Sequence, residues 1–150
     1  MKHNHYFLLP FLLLGALLFP IMMLNATNLA PVDSAGVQVQ PQQQNGITYL
    51  SGGIGEDEAR AIGQAHGYNL HMTFAIGPEN KYVPDVDVTV QSASGQTLLT
   101  LSDAGPLVYV QLPPGKYNVV ATRNGEARRD TAEVGSGAAR NLVFHWNGDE

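Results

Sequence analysis

Alternation of apolar and polar side chains over most of the chain after residue 45 leaves few folds open. In YNLHMTFAI (68–76), Leu70, Met72 and Phe74 fall on one side, and Asn69, His71 and Thr73 on the other. VDVTV (86–90) sets Val86, Val88 and Val90 together, and RNLVFHW (140–146) does the same with Leu142, Phe144 and Trp146. GITYL (46–50), TLLTL (97–101), LVYVQL (107–112), KYNVVAT (116–122) and EARRDTAEV (126–134) extend the series. Period two is the signature of a strand with one buried face. The joints carry turn residues. Asn124-Gly125 marks a two-residue hairpin, Ser94-Gly95 and the glycines of VGSGA (134–138) mark further turns, and Pro114-Gly115 fits the centre of a type II turn. The expectation is a mainly β chain, an antiparallel sandwich of about seven to eight strands.

One segment breaks this period. Glu56 to His66 reads as a short helix, with Ala59, Ile62 and Ala65 along one stripe and Gly67 as its stop. Glu56, Asp57 and Glu58 fill the first turn, where carboxylates favour the helix dipole. The segment is introduced by SGGIG (51–55), a glycine stretch with the outline of a phosphate loop. Neither Gly-x4-Gly-Lys-Ser/Thr nor Gly-x-Gly-x2-Gly is completed, and three carboxylates would repel a phosphate there. A turn with an acid-capped helix is the reading, and Gly53, Gly55, Glu56, Asp57 and Glu58 form the candidate interaction surface.

The first thirty residues have the layout of a secretory signal: Lys2, His3 and His5 at the head, then an uncharged, Leu-rich run from Phe7 to Leu24. That run is long enough for an uncleaved membrane anchor instead, which would be the chain's only membrane contact. The expected location is the periplasm or outside the cell, or else the periplasmic face of an inner membrane. PVDSAGVQVQPQQQN (31–45) is poor in large apolar side chains and reads as a flexible linker. The expected domain is 46–147, with 148–150 as a tail. All 13 acidic residues follow Pro31, against 8 Lys and Arg in the whole chain, with no basic run. Nucleic acid, which needs clustered cations, is excluded as a partner. There is no cysteine, hence no disulfide, thiolate metal site or thiol nucleophile.

Residues 84–125 carry a family pattern. A Val-rich strand (Val86–Val90) leads through a turn at Gly95 to Leu98–Leu101, and Leu112-Pro113-Pro114-Gly115-Lys116-Tyr117 opens a strand that ends at an Asn-Gly hairpin. This resembles the transthyretin-like, or prealbumin-like, modules called carboxypeptidase regulatory-like domains. The layout, with SGGIGEDE upstream, is also similar to a group of small exported proteobacterial proteins given that domain name. The resemblance implies a transthyretin-like sandwich, with Tyr117 pinning its turn by packing and a phenolic hydrogen bond. It implies a fold more than an activity. The hydrolase of that fold, hydroxyisourate hydrolase, uses a Tyr-Arg-Gly-Ser tail that HWNGDE does not match, so its activity is not carried over.

The remaining chemistry is sparse. Asp85, Asp87 and Asp103 are calcium candidates without a loop motif. His66, His71 and His145 lack zinc-ligand spacing, and the two strand histidines read as outward-facing. Ser51, Ser94, Ser102 and Ser136 sit in no nucleophile motif. No catalytic, cofactor or metal residue is named, and no cofactor is expected. The expectation is a non-catalytic envelope module with an unknown protein partner. The alternatives are a small-ligand or glycan binder using Tyr49, Tyr68, Tyr82, Tyr109 or Trp146, and a hydrolase on the same fold.

Overall fold

The computed structural model describes residues 32–34 and 37–148, so the signal or anchor assigned to 1–30 lies outside the described residues. The chain is mainly β. In order it forms β1 (Val32–Ser34), β2 (Val37–Val39), β3 (Gln42–Gln44), β4 (Ile47–Gly52), α1 (Glu56–Gly63), β5 (Leu70–Ile76), β6 (Lys81–Tyr82), β7 (Val86–Ser92), β8 (Thr97–Ala104), β9 (Leu107–Gln111), β10 (Gly115–Arg123), β11 (Glu126–Val134) and β12 (Arg140–Trp146). One large sheet has the order β12-β5-β9-β4-β3, with β6 attached to β5; the other has the order β11-β10-β7-β8. β1 and β2 pair with each other.

Each alternating segment of the sequence lies on a strand, and the alternation builds one core between the two large sheets. Leu70, Met72, Phe74, Val108, Val110, Leu142, Phe144 and Trp146 come from one side, and Val86, Val88, Val90, Leu99, Tyr117 and Val119 from the other. Phe74 packs at ring-centroid distances of 5.8 Å from Phe144 and 6.3 Å from Trp146. Burying an apolar side chain of this size contributes about 1.5–3 kcal/mol. A second, smaller core lies on the other face of the larger sheet. There Ala61 and Ile62 of α1 meet Leu50, Leu107, Tyr68 and Val39. Ile47 to Leu50 are therefore buried without interruption, because β4 is covered on both faces.

The strand inventory exceeds the expected seven to eight. β1, β2 and β3 fall inside 31–45, the stretch read as linker, and β6 is a two-residue addition. Period two does not find β3, because its three glutamines bury no apolar face. Backbone pairing with β4 forms it instead, across the Asn45-Gly46 turn, whose φ values are 50° and 75°. β12 pairs with β5 in parallel rather than antiparallel fashion, since the chain crosses from β11 in the smaller sheet to reach it. The helix ends at Gly63 with Gln64 as its C-cap, one turn before Gly67.

Two turns separate expectation from outcome. Asn124 and Gly125 both take positive φ, 49° and 78°, as a type I′ hairpin requires. Gly115 does not take positive φ and already belongs to β10, so no type II turn forms at Pro114-Gly115. What holds this corner is Tyr117, whose buried hydroxyl donates to the Pro113 carbonyl at 2.5 Å. Tyr117→Phe removes that donor while keeping the ring. It is expected to cost about 1–2 kcal/mol in urea unfolding with an unchanged m-value.

Candidate functional site

The glycine stretch is shaped by a backbone contact. Gly52 ends β4 and Gly105 lies between β8 and β9; a Cβ on Gly105 would stand 2.5 Å from the Gly52 carbonyl oxygen and 2.6 Å from its Cα. Gly105 can make this approach only without a side chain, whereas a Cβ on Gly52 would instead run into Glu58 Oε1. The Gly105 N–H also donates to Ser51 Oγ at 3.1 Å. Beyond Gly52 the chain turns through Gly53 at φ 97° and Gly55 at φ 90°, both in the region that favours glycine.

The three carboxylates that follow do different things. Gly55 is the N-cap of α1, and no side chain caps it. Glu58 reaches back to accept the Gly53 N–H at 2.8 Å, so it fixes the loop rather than the helix end. Glu56 and Asp57 both pair with Arg60, at 2.8 and 3.0 Å, on the exposed surface. Such exposed pairs each contribute about 0.3–0.5 kcal/mol.

With the loop held in this way, an open groove of about 450 Å³ forms beside it. Gly53, Ile54, Gly55, Glu56 and Ala59 line it from the loop and helix, Lys81, Tyr82 and Pro84 from the β6 segment, and Pro106 from the turn before β9. Ile54 is 67% exposed and Tyr82 48%. Of the expected surface residues, Gly53, Gly55 and Glu56 line the groove, whereas Asp57 and Glu58 do not. Sequence reading missed Ile54, Lys81, Pro84 and Pro106, and named Tyr82 only as a stacking residue, not as part of this surface. The available signal was a lone isoleucine among glycines and a Lys-Tyr pair outside any alternating run.

The other candidates are dispersed. Among the described residues no three His, Asp or Glu side chains come together in a group that could hold a metal. Asp87 accepts the Asp103 N–H at 3.2 Å, and all three aspartates are exposed. His71 and His145 lie on the strand faces opposite the main core, as expected, yet each is half-buried and bound to backbone. His71 Nε2 donates to the Tyr68 carbonyl at 3.1 Å, and its ring stacks on Tyr109 at 3.8 Å. His145 Nε2 donates to the Gly77 carbonyl at 2.6 Å. Of the aromatic residues considered for stacking, Trp146, Tyr49 and Tyr68 are buried, leaving Tyr82 exposed and Tyr109 half-buried.

Compared with protein-family models and with curated proteins, the chain matches none.

Two expectations follow from this geometry. Gly105→Ala forces backbone apart and is expected to cost at least about 2 kcal/mol in urea unfolding. Gly135→Ala, where a Cβ meets nothing within 4 Å, is expected to be close to neutral. Burial raises the phenols of Tyr68, Tyr109 and Tyr117 above the ordinary value of 10.0, and for Tyr109 the nearby Tyr82 adds to the effect. Below pH 10 these phenols are protonated in folded and unfolded chains alike. Above it the unfolded chain ionises first, so their contribution is lost as pH rises further. Absorbance titration is expected to show late-titrating tyrosines, fewer by one in Tyr117→Phe.

Proposed function

We propose that the protein is a non-catalytic interaction module of the exported, transthyretin-like kind, and that it docks a protein partner in the groove between the Gly53–Ala59 segment and Lys81–Pro84. The observation that carries this reading is the exposure of Ile54 and Tyr82 in one shared groove. Large exposed apolar side chains beside a concave, proline-lined surface are a common basis of protein recognition. The core shared between two sheets and the Tyr117–Pro113 hydrogen bond support the transthyretin-like part. The leader-like pattern of residues 1–30 supports export. The non-catalytic part is supported by the engagement of Ser51 Oγ, His71 Nε2 and His145 Nε2 with backbone groups.

A neutral glycan is the second reading, favoured by the one observation that Tyr82 offers an exposed ring within the groove.

A photo-crosslinking residue in place of Ile54 is expected to give one discrete protein adduct in the native host, and a crosslinker in place of Lys116 none. Combining it with Tyr82→Ser is expected to weaken capture about tenfold, the effect of losing one anchor worth roughly 1–2 kcal/mol. The variant is expected to melt as the parent does. Saturable binding of a neutral oligosaccharide without a protein adduct would favour the second reading, and reproducible turnover in a hydrolase screen would overturn both.

A further inference from the structure

The three glutamines of β3 are each engaged. Gln42 Oε1 accepts from the Tyr49 hydroxyl at 3.0 Å, and Gln43 Nε2 donates to Thr48 Oγ1 at 3.3 Å. Gln44 crosses to the other sheet. Its Oε1 accepts the Thr100 N–H at 2.6 Å, and its Nε2 donates to the Thr100 carbonyl at 3.0 Å. Asn45 Nδ2 adds a bond to the Leu98 carbonyl at 3.1 Å. β8 is an edge strand, paired with β7 on one side only. Gln44 therefore gives Thr100 the two hydrogen bonds that a residue of a neighbouring antiparallel strand would exchange with it.

We infer that the outer edge of β8 is a strand-acceptor surface, closed in the monomer by the Gln44 amide, and that the partner it fits is β8 of a second copy. Edge strands of this kind template pairing unless something covers them. Charge, the usual protection, is confined to one end of the strand: Val88 through Ser102 carries none, and within β8 only Asp103 is charged. Antiparallel self-pairing about Thr100 sets Leu98 opposite Ser102 and Thr97 opposite Asp103, so no like charges meet. The arrangement is isologous, and each copy offers the same edge, uncharged from Thr97 to Ser102. On each copy the Gln44 amide, with Asn45 on the Leu98 carbonyl beside it, stands between the two edges.

The test is sedimentation of the purified protein over a concentration series. The parent is expected to be monomeric and Gln44→Ala to form a reversible dimer of twice the mass. Adding Thr100→Lys, which places two like charges face to face across the dyad, is expected to restore the monomer. Mixing the Thr100→Lys and Thr100→Glu forms of the Gln44→Ala protein is expected to restore association. Gln44→Met, which keeps the side-chain length but loses both the donor to Thr100 and the acceptor from it, serves if Gln44→Ala does not fold, and the same dimer is expected. A folded Gln44 variant that stays monomeric overturns the inference. So does a dimer indifferent to Thr100→Lys, or a parent chain that is already dimeric.

Discussion

Gly52 and Gly105 touch backbone to backbone, and much of the molecule is arranged around that contact. Gly52 closes β4 in the larger sheet, while Gly105 joins β8 of the smaller sheet to β9 of the larger one. The contact therefore sits where the chain passes from one layer to the other. It fixes Pro106, which lines the groove and whose carbonyl accepts the Phe74 N–H at 2.9 Å. It also sets the point from which Gly53 and Gly55 turn the chain into α1. One wall of the groove is thus set by backbone packing.

Side chains close the two flanks of the layered structure where no backbone ladder runs. On one flank Gln44 and Asn45 hold β8. On the other, Arg128 Nε donates to the His145 carbonyl at 3.0 Å and Trp146 Nε1 to the Glu126 carbonyl at 2.9 Å, tying β11 to β12. Trp146 is 2% exposed, so it supplies core volume with one edge and a cross-sheet hydrogen bond with the other. Such bonds fix the relation of the two sheets in a way that non-directional burial alone does not.

The strands were legible because a half-buried strand must alternate, and Leu70-Met72-Phe74 or Val86-Val88-Val90 can be read by counting. β3 was not, because Gln42–Gln44 hold their place by hydrogen bonds that leave no hydrophobic period. Its turn, Asn45-Gly46, carries the same signal as Asn124-Gly125, but only the latter lies between alternating runs. The candidate surface was half legible. Glycines before acids announced a special loop, yet the role of Glu58 depends on where Gly53 points its N–H. The pairing of Ile54 with Tyr82 depends on a long-range fold that no local pattern contains. Gly105 gave no warning either, since a close approach between distant glycines has no local sequence signature.

Hydrogen exchange read by mass spectrometry, on the purified protein alone and after addition of host extract, tests the docking role of the groove most directly. The account predicts added protection confined to residues 53–59 and 81–84, with the core strands unchanged. Protection that falls instead on the outer face of the smaller sheet, around Asn118 and Arg129, would contradict it, as would identical exchange in both samples.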